Sequence, residues 1–239
     1  MITQYLSSIS AGLRSLVFDS SCIICGSGKL EFCVTCQAQW RSNPRQITGE
    51  SFKVFSSISY NEVARSVVLT AKENSLNAAR RLITREIKLT IERLCLSERK
   101  LPREVLLVPI PSSERAKRRR GGDFILEISR AISAELNREL DEIRFASRSL
   151  LQMNRKILDQ TKLTQSQRES NLSGAFKVAP DFFTVTPIII IDDVVTTGST
   201  LREAVRALKE RNLTVLGAAT ACASQRRFPI RSPNTIGLY

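Results

Sequence analysis

Histidine is absent from this chain of 239 residues. Any mechanism that uses an imidazole as an acid, a base or a metal ligand is therefore excluded. Tryptophan and tyrosine are also scarce, since the chain has one tryptophan and three tyrosines. Because single-stranded nucleic acids bind largely by stacking their bases on aromatic rings, no stacking platform is evident from this composition.

Long hydrophobic runs are missing as well. Strongly apolar runs such as residues 188–191 fall far short of the roughly 20 residues that a membrane-spanning helix needs, so we predict no membrane span. The N-terminus has no basic start followed by an apolar run and a small-residue cleavage site, so we predict no secretory signal. With 42% hydrophobic and 25% charged residues, the composition is that of an ordinary globular protein, which we expect in the cytoplasm.

Acidic residues are outnumbered, since 36 lysines and arginines face 23 aspartates and glutamates and give a formal net charge of +13. Such a surface attracts a polyanionic partner or substrate. A solvated basic face without a specific partner explains the charge equally well. Two basic clusters stand out, one made of Arg115, Lys117, Arg118, Arg119 and Arg120, the other of Arg144, Arg148, Arg155, Lys156, Lys162 and Arg168.

Four of the six cysteines form two Cys-x-x-Cys pairs close together in the chain, Cys22 with Cys25 and Cys33 with Cys36. This spacing is typical of a tetrahedral thiolate site for one structural zinc ion. Two disulfides or an iron–sulfur centre are the alternatives, but a reducing compartment disfavours disulfides. The metal would supply the cohesion that so short a segment lacks in apolar residues.

The composition divides the chain into three regions. Residues 1–50 form a small unit with a helix and the cysteine motif, residues 51–224 alternate strands and helices, and residues 225–239 form a loosely held tail. Apolar residues at the very start recur at helical spacing and predict an amphipathic helix packed on the body. They are Ile2, Leu6, Ile9, Leu13, Leu16 and Val17.

The region after residue 50 begins with two predicted strands and two predicted helices. Residues 52–60 and 105–110 favour strands, whereas residues 76–96 and 124–140 carry apolar residues at helical spacing. A basic loop is expected after Pro111, because proline cannot continue a buried strand.

A strand, a helix and a strand follow each other near the end of this region. Residues 188–191 are four consecutive isoleucines, which indicates a strand covered on both faces in a parallel sheet. Residues 201–208 predict the next helix and residues 214–222 a further buried strand. This βαβ unit predicts an α/β fold with a mainly parallel central sheet flanked by helices.

The sequence Asp-Asp-Val-Val-Thr-Thr-Gly-Ser-Thr follows the isoleucines directly. Open α/β folds bind ligands at the carboxyl ends of their strands, where Asp192 and Asp193 are expected. Gly198 permits a tight turn whose N–H groups, at a helix N-terminus, favour a phosphate. The adjacent acids would repel a phosphate but accept hydrogen bonds from vicinal hydroxyls, so a ribose 5-phosphate fits both features.

A purely structural alternative for this motif is a strand end with two solvated aspartates and a helix-capping hydroxyl. It explains the cap but not an acid pair directly after a buried run. A P-loop fits less well, because no lysine follows Gly198.

The apolar run, the acid pair and the Thr-Thr-Gly-Ser-Thr turn resemble the signature of type I phosphoribosyltransferases. The resemblance implies that fold, with the acids on the ribose hydroxyls and the turn on the 5-phosphate of phosphoribosyl pyrophosphate. The residues to which it assigns this binding are Asp192, Asp193, Val194, Val195, Thr196, Thr197, Gly198, Ser199 and Thr200.

Other stretches resemble the ComF family of amidophosphoribosyltransferase-like competence proteins, which carry an N-terminal cysteine module. The similar stretches are residues 108–112 with Arg115, Arg120 and Gly121, then residues 160–163, Arg168, Asn171 and residues 174–176, and also Tyr60 and Lys72. The family usually continues its arginine-glycine pair with an aromatic residue, Asn and Gln. This chain has Gly122, Asp123 and Phe124 instead, so the contacts of this segment are expected to differ.

The resemblance implies attack by a nucleophile on C1 of phosphoribosyl pyrophosphate, with Mg2+ assisting the departure of pyrophosphate. It makes Asp192, Asp193 and Lys72 the catalytic groups and puts Lys72 on the loop that handles pyrophosphate, helped by Arg115 and Arg120. An exposed helix lysine is the alternative interpretation of Lys72.

A second hypothesis is a non-catalytic protein of the competence machinery. In this hypothesis the same pocket senses a phosphoribosyl ligand, while the basic clusters hold single-stranded DNA through salt-dependent phosphate contacts. The acceptor, any general base and the oligomeric state do not follow from the sequence.

Overall fold

The computed structural model describes residues 21–27, 30–73, 77–100, 102–154, 174–180 and 182–227. The predicted N-terminal helix, the basic residues from Arg155 to Arg168, the stretches from 160 to 171 and the tail beyond residue 227 lie outside these residues. Within them, the chain forms eight strands and six α-helices.

The helices are α1 (Val34–Gln39), α2 (Glu62–Glu73), α3 (Asn77–Leu96), α4 (Glu114–Arg120), α5 (Phe124–Glu139) and α6 (Ser199–Lys209). The strands are β1 (Arg45–Gln46), β2 (Val54–Tyr60), β3 (Glu104–Pro109), β4 (Arg144–Ser147), β5 (Leu151–Met153), β6 (Phe176–Val178), β7 (Ile188–Val195) and β8 (Val215–Ser224). One turn of 3-10 helix, Gln225–Arg227, follows β8.

The central sheet has the strand order β1-β2-β8-β7-β3-β4. The strands from β2 to β4 in this order are parallel to their neighbours, and only β1 pairs antiparallel with β2. β5 and β6 form a separate antiparallel pair. Because the central strands run in one direction, their carboxyl ends meet at one edge of the sheet, with β7 and β8 in the middle.

Both faces of the sheet are covered, as the four isoleucines of β7 show. Ile189 and Ile191 pack in the cluster that contains the apolar residues of α2, α3 and α5. Ile188 and Ile190 pack in the opposite cluster with α6 and the β5–β6 pair. Successive side chains of a strand point to opposite faces, so a run buried on both faces requires a layer on each. The prediction of an α/β fold with a mainly parallel, helix-flanked sheet is confirmed.

The cysteine-containing segment packs on this body. Cys22, Cys33, Cys36 and Trp40 belong to the same buried cluster as the apolar residues of α2 and α3. Asn61 also donates a hydrogen bond from Nδ2 to the carbonyl of Gln39, at 3.0 Å, which joins α1 to the start of α2. The division of the chain at residue 50 stays a prediction.

The expected basic loop after Pro111 is wrong, because most of it is helix α4. Ser113 caps this helix, since its Oγ accepts a hydrogen bond from the N–H of Ala116 at 3.3 Å. Gly121 ends it with a left-handed φ of 73°. The two signals fit the usual chemistry of helix ends, a serine at the N-cap and a glycine after the last turn.

None of the helices in the described parts of the chain has the length and apolar character needed to cross a bilayer.

Two leucines of α3 test the packing of its apolar face against the sheet. Leu94 is fully buried, whereas Leu96 is 71% exposed. Leu94→Ala should lower the free energy of unfolding by about 2–5 kcal/mol, because it leaves a cavity. Leu96→Ala, the matched control, should change it by less than about 0.5 kcal/mol. Urea unfolding measures both, and equal losses would contradict the packing of α3 described above.

Candidate functional site

The two aspartates lie inside strand β7, which continues to Val195, rather than after its end as the sequence suggested. The ladder with β8 accounts for the extension, since Asp192 pairs with Thr220 and Val195 with Ala223. Asp193 shares the face of Ile189 and Ile191, which α2 and α3 cover. It is 4% exposed, whereas Asp192 is half-buried.

Lys72 forms an ion pair with Asp193, with 2.5 Å between Nζ and Oδ2. The lysine lies in the last turn of α2, so the expectation that it lies on a loop is not met, and neither is the alternative of an exposed helix lysine. Its side chain is 27% exposed and that of Asp193 is 6% exposed. The structure therefore brings together two residues that the sequence singled out separately.

The pKa values of this pair move in the directions that keep both groups charged. Burial alone would raise the pKa of Asp193, but the Lys72 ammonium holds it below its ordinary value. Burial alone would lower the pKa of Lys72, but the charge of Asp193 raises it. The Asp193 carboxylate is therefore stabilised by one specific cation.

The pKa of Asp192 shifts in the opposite direction to that of Asp193. Burial and the adjacent charge of Asp193 raise the pKa of Asp192 well above its ordinary value. Tyr60, at the end of β2, has its pKa raised by burial and by Asp193, so its phenol keeps its proton. The edge thus combines one firmly ionised carboxylate with a second acid that binds its proton more tightly.

The turn after β7 spans Thr196 to Gly198 and leads directly into α6. Gly198 has a φ of 77°, which L side chains rarely adopt. The hydroxyls of Thr197 and Ser199 lie 3.0 Å apart, which closes the turn. Since the first N–H groups of a helix have no acceptor within it, the start of α6 offers donors and a partial positive charge to an anion.

The turn is supported from behind by three residues that the sequence did not indicate, Glu50, Arg202 and Arg227. The side chain of Glu50 is 1% exposed and accepts hydrogen bonds from Arg202 and Arg227. The two arginines also donate to carbonyls of the turn. Glu50 and Arg227 lie far from the motif in the chain, and no spacing rule connects them to it.

Arg120 and Arg115 have different surroundings, although both belong to α4. Arg120 is half-buried, donates to Ser112 Oγ at 3.0 Å, and its charge acts on the pKa of Lys72. Arg115 is exposed. Asp123, where the ComF pattern has a polar amide, accepts a hydrogen bond from Ser112 Oγ at 3.1 Å and fixes the same loop. Arg120, unlike the exposed Arg115, therefore lies near enough to Lys72 for its charge to affect the pKa of that lysine.

The four cysteines of the N-terminal motif come together as one cluster. The sulfurs of Cys22, Cys25, Cys33 and Cys36 all lie within 4.8 Å of one another. Sulfurs on one tetrahedral zinc ion are about 3.8 Å apart, given Zn–S bonds of about 2.3 Å, and the Cys25 and Cys33 sulfurs lie 3.6 Å apart. Burial would raise the pKa of Cys22, but backbone N–H donors lower it to about 6. The cluster can therefore hold a metal ion.

Comparison with known families gives one match. Residues 125–233 match the family model described as phosphoribosyl transferase domain. This segment includes the acid pair and the turn, whereas Lys72, Arg120 and the cysteines lie outside it. No curated protein matches the sequence of the chain.

Solved structures resemble the chain loosely. A hypoxanthine phosphoribosyltransferase from Staphylococcus aureus is 15% identical with a TM-score of 0.34, covering 64% of this chain and 71% of its own. An adenine phosphoribosyltransferase from Trypanosoma brucei, solved with AMP, pyrophosphate and ribose 5-phosphate, is 11% identical with a TM-score of 0.38, covering 83% and 96%. Similarity at this level does not identify a substrate.

We predict that Lys72→Met raises the pKa of Asp193, because burial then acts without an opposing cation. In the wild type, Asp193 has a lowered folded-state pKa, so its contribution to stability is present above its unfolded pKa and is lost as the pH falls through the lower folded value. Carbon NMR titration of labelled aspartates measures the change. Lys53→Met, which removes an ion pair with Glu98, is the control. An unchanged Asp193 pKa in Lys72→Met would contradict the pairing.

Proposed function

We propose that this chain binds phosphoribosyl pyrophosphate at the carboxyl edge of its sheet and transfers the phosphoribosyl group with release of pyrophosphate. The observation that carries this proposal is the junction of β7 and α6. There an acid pair, whose second member Asp193 is buried, and a hydroxyl-rich turn at a helix N-terminus are separated by only two residues. The phosphoribosyl transferase match over the same residues supports it.

The 5-phosphate would bind to residues 196–200, which comprise the turn and the first two residues of α6. Four of these five residues carry hydroxyls, and the N-terminus of α6 adds N–H donors and a partial positive charge. Val194 and Val195 lead into this turn as strand residues, and Val195 is buried, so we assign them a backbone role. The phosphate would thus be recognised mainly by amides and hydroxyls.

The ribose would bind beside the acid pair. Asp193 is an ionised acceptor, and Asp192 can donate or accept a hydrogen bond according to its protonation state. Vicinal hydroxyls, which donate and accept, match such a pair. The acids would orient C1 of the ribose toward the attacking nucleophile, which is a contribution through positioning.

Lys72 and Arg120 would bind the pyrophosphate. Lys72 is held in its charged form by Asp193, and Arg120 lies close enough for its charge to act on Lys72. Two cations next to the leaving group stabilise the negative charge that develops as the bond to C1 breaks. We propose Arg115 only as a peripheral contributor to this attraction, because it is exposed.

Mg2+ would accompany the substrate. It prefers oxygen ligands, and Asp192 and Asp193 supply carboxylate oxygens at this edge. Because Lys72 already pairs with Asp193, the remaining ligands would come from the pyrophosphate and ribose oxygens. When bound, the ion neutralises charge on the departing pyrophosphate.

We propose that the cysteine cluster holds one structural zinc ion in a cytoplasmic protein. Four thiolate ligands leave no open position for catalysis. The cluster packs on α2, the helix that carries Lys72, so the ion would stabilise the site indirectly.

Binding of single-stranded DNA and of competence proteins is a prediction from the ComF resemblance and the net charge alone. A salt series of DNA binding tests this hypothesis, since phosphate contacts give a steep dependence on salt. Salt-independent or undetectable binding would remove it.

We predict that phosphoribosyl pyrophosphate with Mg2+ binds to the wild type, and that Asp192→Asn/Asp193→Asn weakens binding about 100-fold. Each lost hydrogen bond to a carboxylate costs about 1.5 kcal/mol or more. Isothermal calorimetry measures the affinities. Asp141→Asn, an exposed aspartate before β4 and thus at the opposite edge of the sheet, is the control.

Catalysis is tested separately by pyrophosphate release with a panel of bases and amines. If phosphoribosyl pyrophosphate binds but no acceptor of the panel causes release of pyrophosphate, the non-catalytic hypothesis is favoured. Equal heats for the wild type and the double variant would contradict the assigned ribose contacts.

We predict one zinc ion per chain in the purified protein, measured by elemental analysis. Cys36→Ser should reduce the zinc content and the melting temperature together, because metal binding is coupled to folding of the cluster. Cys95→Ser, which alters a buried cysteine of α3 outside the cluster, should keep the zinc. Metal-free protein with four alkylatable thiols in the native state would contradict this proposal.

A further inference from the structure

A buried ionic group lies behind the turn that follows β7. Its centre is the carboxylate of Glu50, whose side chain is 1% exposed. Arg202 Nη1 lies 2.9 Å from Glu50 Oε1, and Arg227 Nη1 lies 2.7 Å from the same oxygen. The Glu50 carboxylate thus joins the chain before β2 to α6 and to the turn after β8.

The two arginines bind the turn itself through its carbonyls. Arg227 donates from Nε to the Thr196 carbonyl at 2.6 Å and from Nη2 to the Thr197 carbonyl. Arg202 donates from Nη1 to the Thr197 carbonyl at 3.1 Å. Ser224 Oγ adds a bond of 3.3 Å to the Thr196 carbonyl. The Thr196 and Thr197 carbonyls are therefore directed toward this group.

The direction of the carbonyls fixes the direction of the amides. In a trans peptide unit the C=O and the N–H point in opposite directions, and every peptide bond of the described residues is trans. With the Thr196 and Thr197 carbonyls turned toward the arginines, the N–H groups of Thr197 and Gly198 point away from them. This orientation presents these two amides on the side opposite the arginines.

Position 198 shows how closely the group fits the turn. A Cβ added to Gly198 would lie 1.8 Å from Glu50 Oε1 and 2.9 Å from Arg227 Nη2. The glycine is therefore required by its φ and also by the space that the ionic group occupies.

We propose that Glu50, Arg202 and Arg227 are positioning residues for the anion-binding turn. They orient its amides toward the 5-phosphate, and with two positive charges against one negative they add a net positive charge behind it. This inference rests on the proposed function, because it assumes that the turn binds a phosphate. It also predicts selectivity, since pyrophosphate would bind to Lys72 and Arg120 without using these amides.

The test compares two ligands on the same variants by isothermal calorimetry. In Arg227→Ala and Arg202→Ala, the dissociation constant for ribose 5-phosphate should rise about tenfold, because each variant removes charged hydrogen bonds to the carbonyls of the turn. The constant for Mg2+-pyrophosphate should change by less than about twofold. Arg226→Ala removes the same charge from the neighbouring exposed residue and should leave both constants unchanged.

Arg227→Lys is a second variant for the case in which Arg227→Ala does not fold. Lysine keeps the charge but cannot bridge Glu50 and two carbonyls at once, so ribose 5-phosphate binding should still weaken severalfold. Loss of affinity for ribose 5-phosphate alone supports the positioning role. Equal weakening for both ligands, or no weakening in folded variants, overturns it.

Failure of the proposed function gives a different result. Wild-type protein that binds neither ligand would contradict the assignment of the turn as a phosphate site, and would overturn this inference with it. Wild-type protein that binds ribose 5-phosphate with unchanged affinity in all three variants would leave the proposed function standing and overturn the positioning role alone.

Discussion

The site depends on a buried carboxylate at the end of the central strand and on the cation that neutralises it. Asp193 is 4% exposed, and an isolated carboxylate in such surroundings would take up a proton instead of staying charged. Lys72 prevents this from the last turn of α2. The position of α2 is therefore as important to the acid pair as β7 itself.

The cysteine cluster contributes to the site through the same helix. Three of its four cysteines and Trp40 are packed in one hydrophobic cluster with the buried residues of α2, including Val67 and Val68. The metal ion that we propose for the cysteines would also hold this surface in place. The N-terminal segment can thus affect the acid pair without contacting a ligand.

The acid pair and the turn after β7 are supported by different layers of the structure. Asp193 faces the layer that contains α2 and α3, whereas the turn after the strand is held by residues around α6, Glu50 and Arg227. One layer supplies the cation for the acid pair, and the other, in our proposal, directs the amides of the turn. A sugar phosphate placed across the end of β7 would contact the acids through its ribose hydroxyls and the turn through its phosphate. One strand end would thus bind a hydroxyl donor and an anion side by side.

Much of the fold follows from local sequence patterns, and much of the site does not. The isoleucine run of β7 and the periodicity of α5 are short-range signals, and each predicts its element correctly. The cysteine spacing predicts the clustering of the four sulfurs, whereas the zinc ion stays a prediction. The helix α4 was missed because its charged residues carry no apolar periodicity, while its signals, Ser113 and Gly121, lie at its ends. The contacts of Lys72 with Asp193 and of Glu50 with Arg227 join distant parts of the chain, and only the strand order brings them together.

The pairing of Lys72 with Asp193 also couples the proposed binding of the ribose to that of the pyrophosphate, because Asp193 would bind the first and Lys72 the second. If pyrophosphate binds to Lys72, one ammonium is shared between the phosphate oxygens and the carboxylate. Coupling of this kind is reciprocal, so pyrophosphate weakens the hold of Lys72 on Asp193 as much as the Asp193 charge weakens pyrophosphate binding. The carboxylate would compete with the pyrophosphate group for the cation both before and after the bond to C1 breaks. In the proposed function the ion pair would therefore limit how tightly the site holds substrate and product alike.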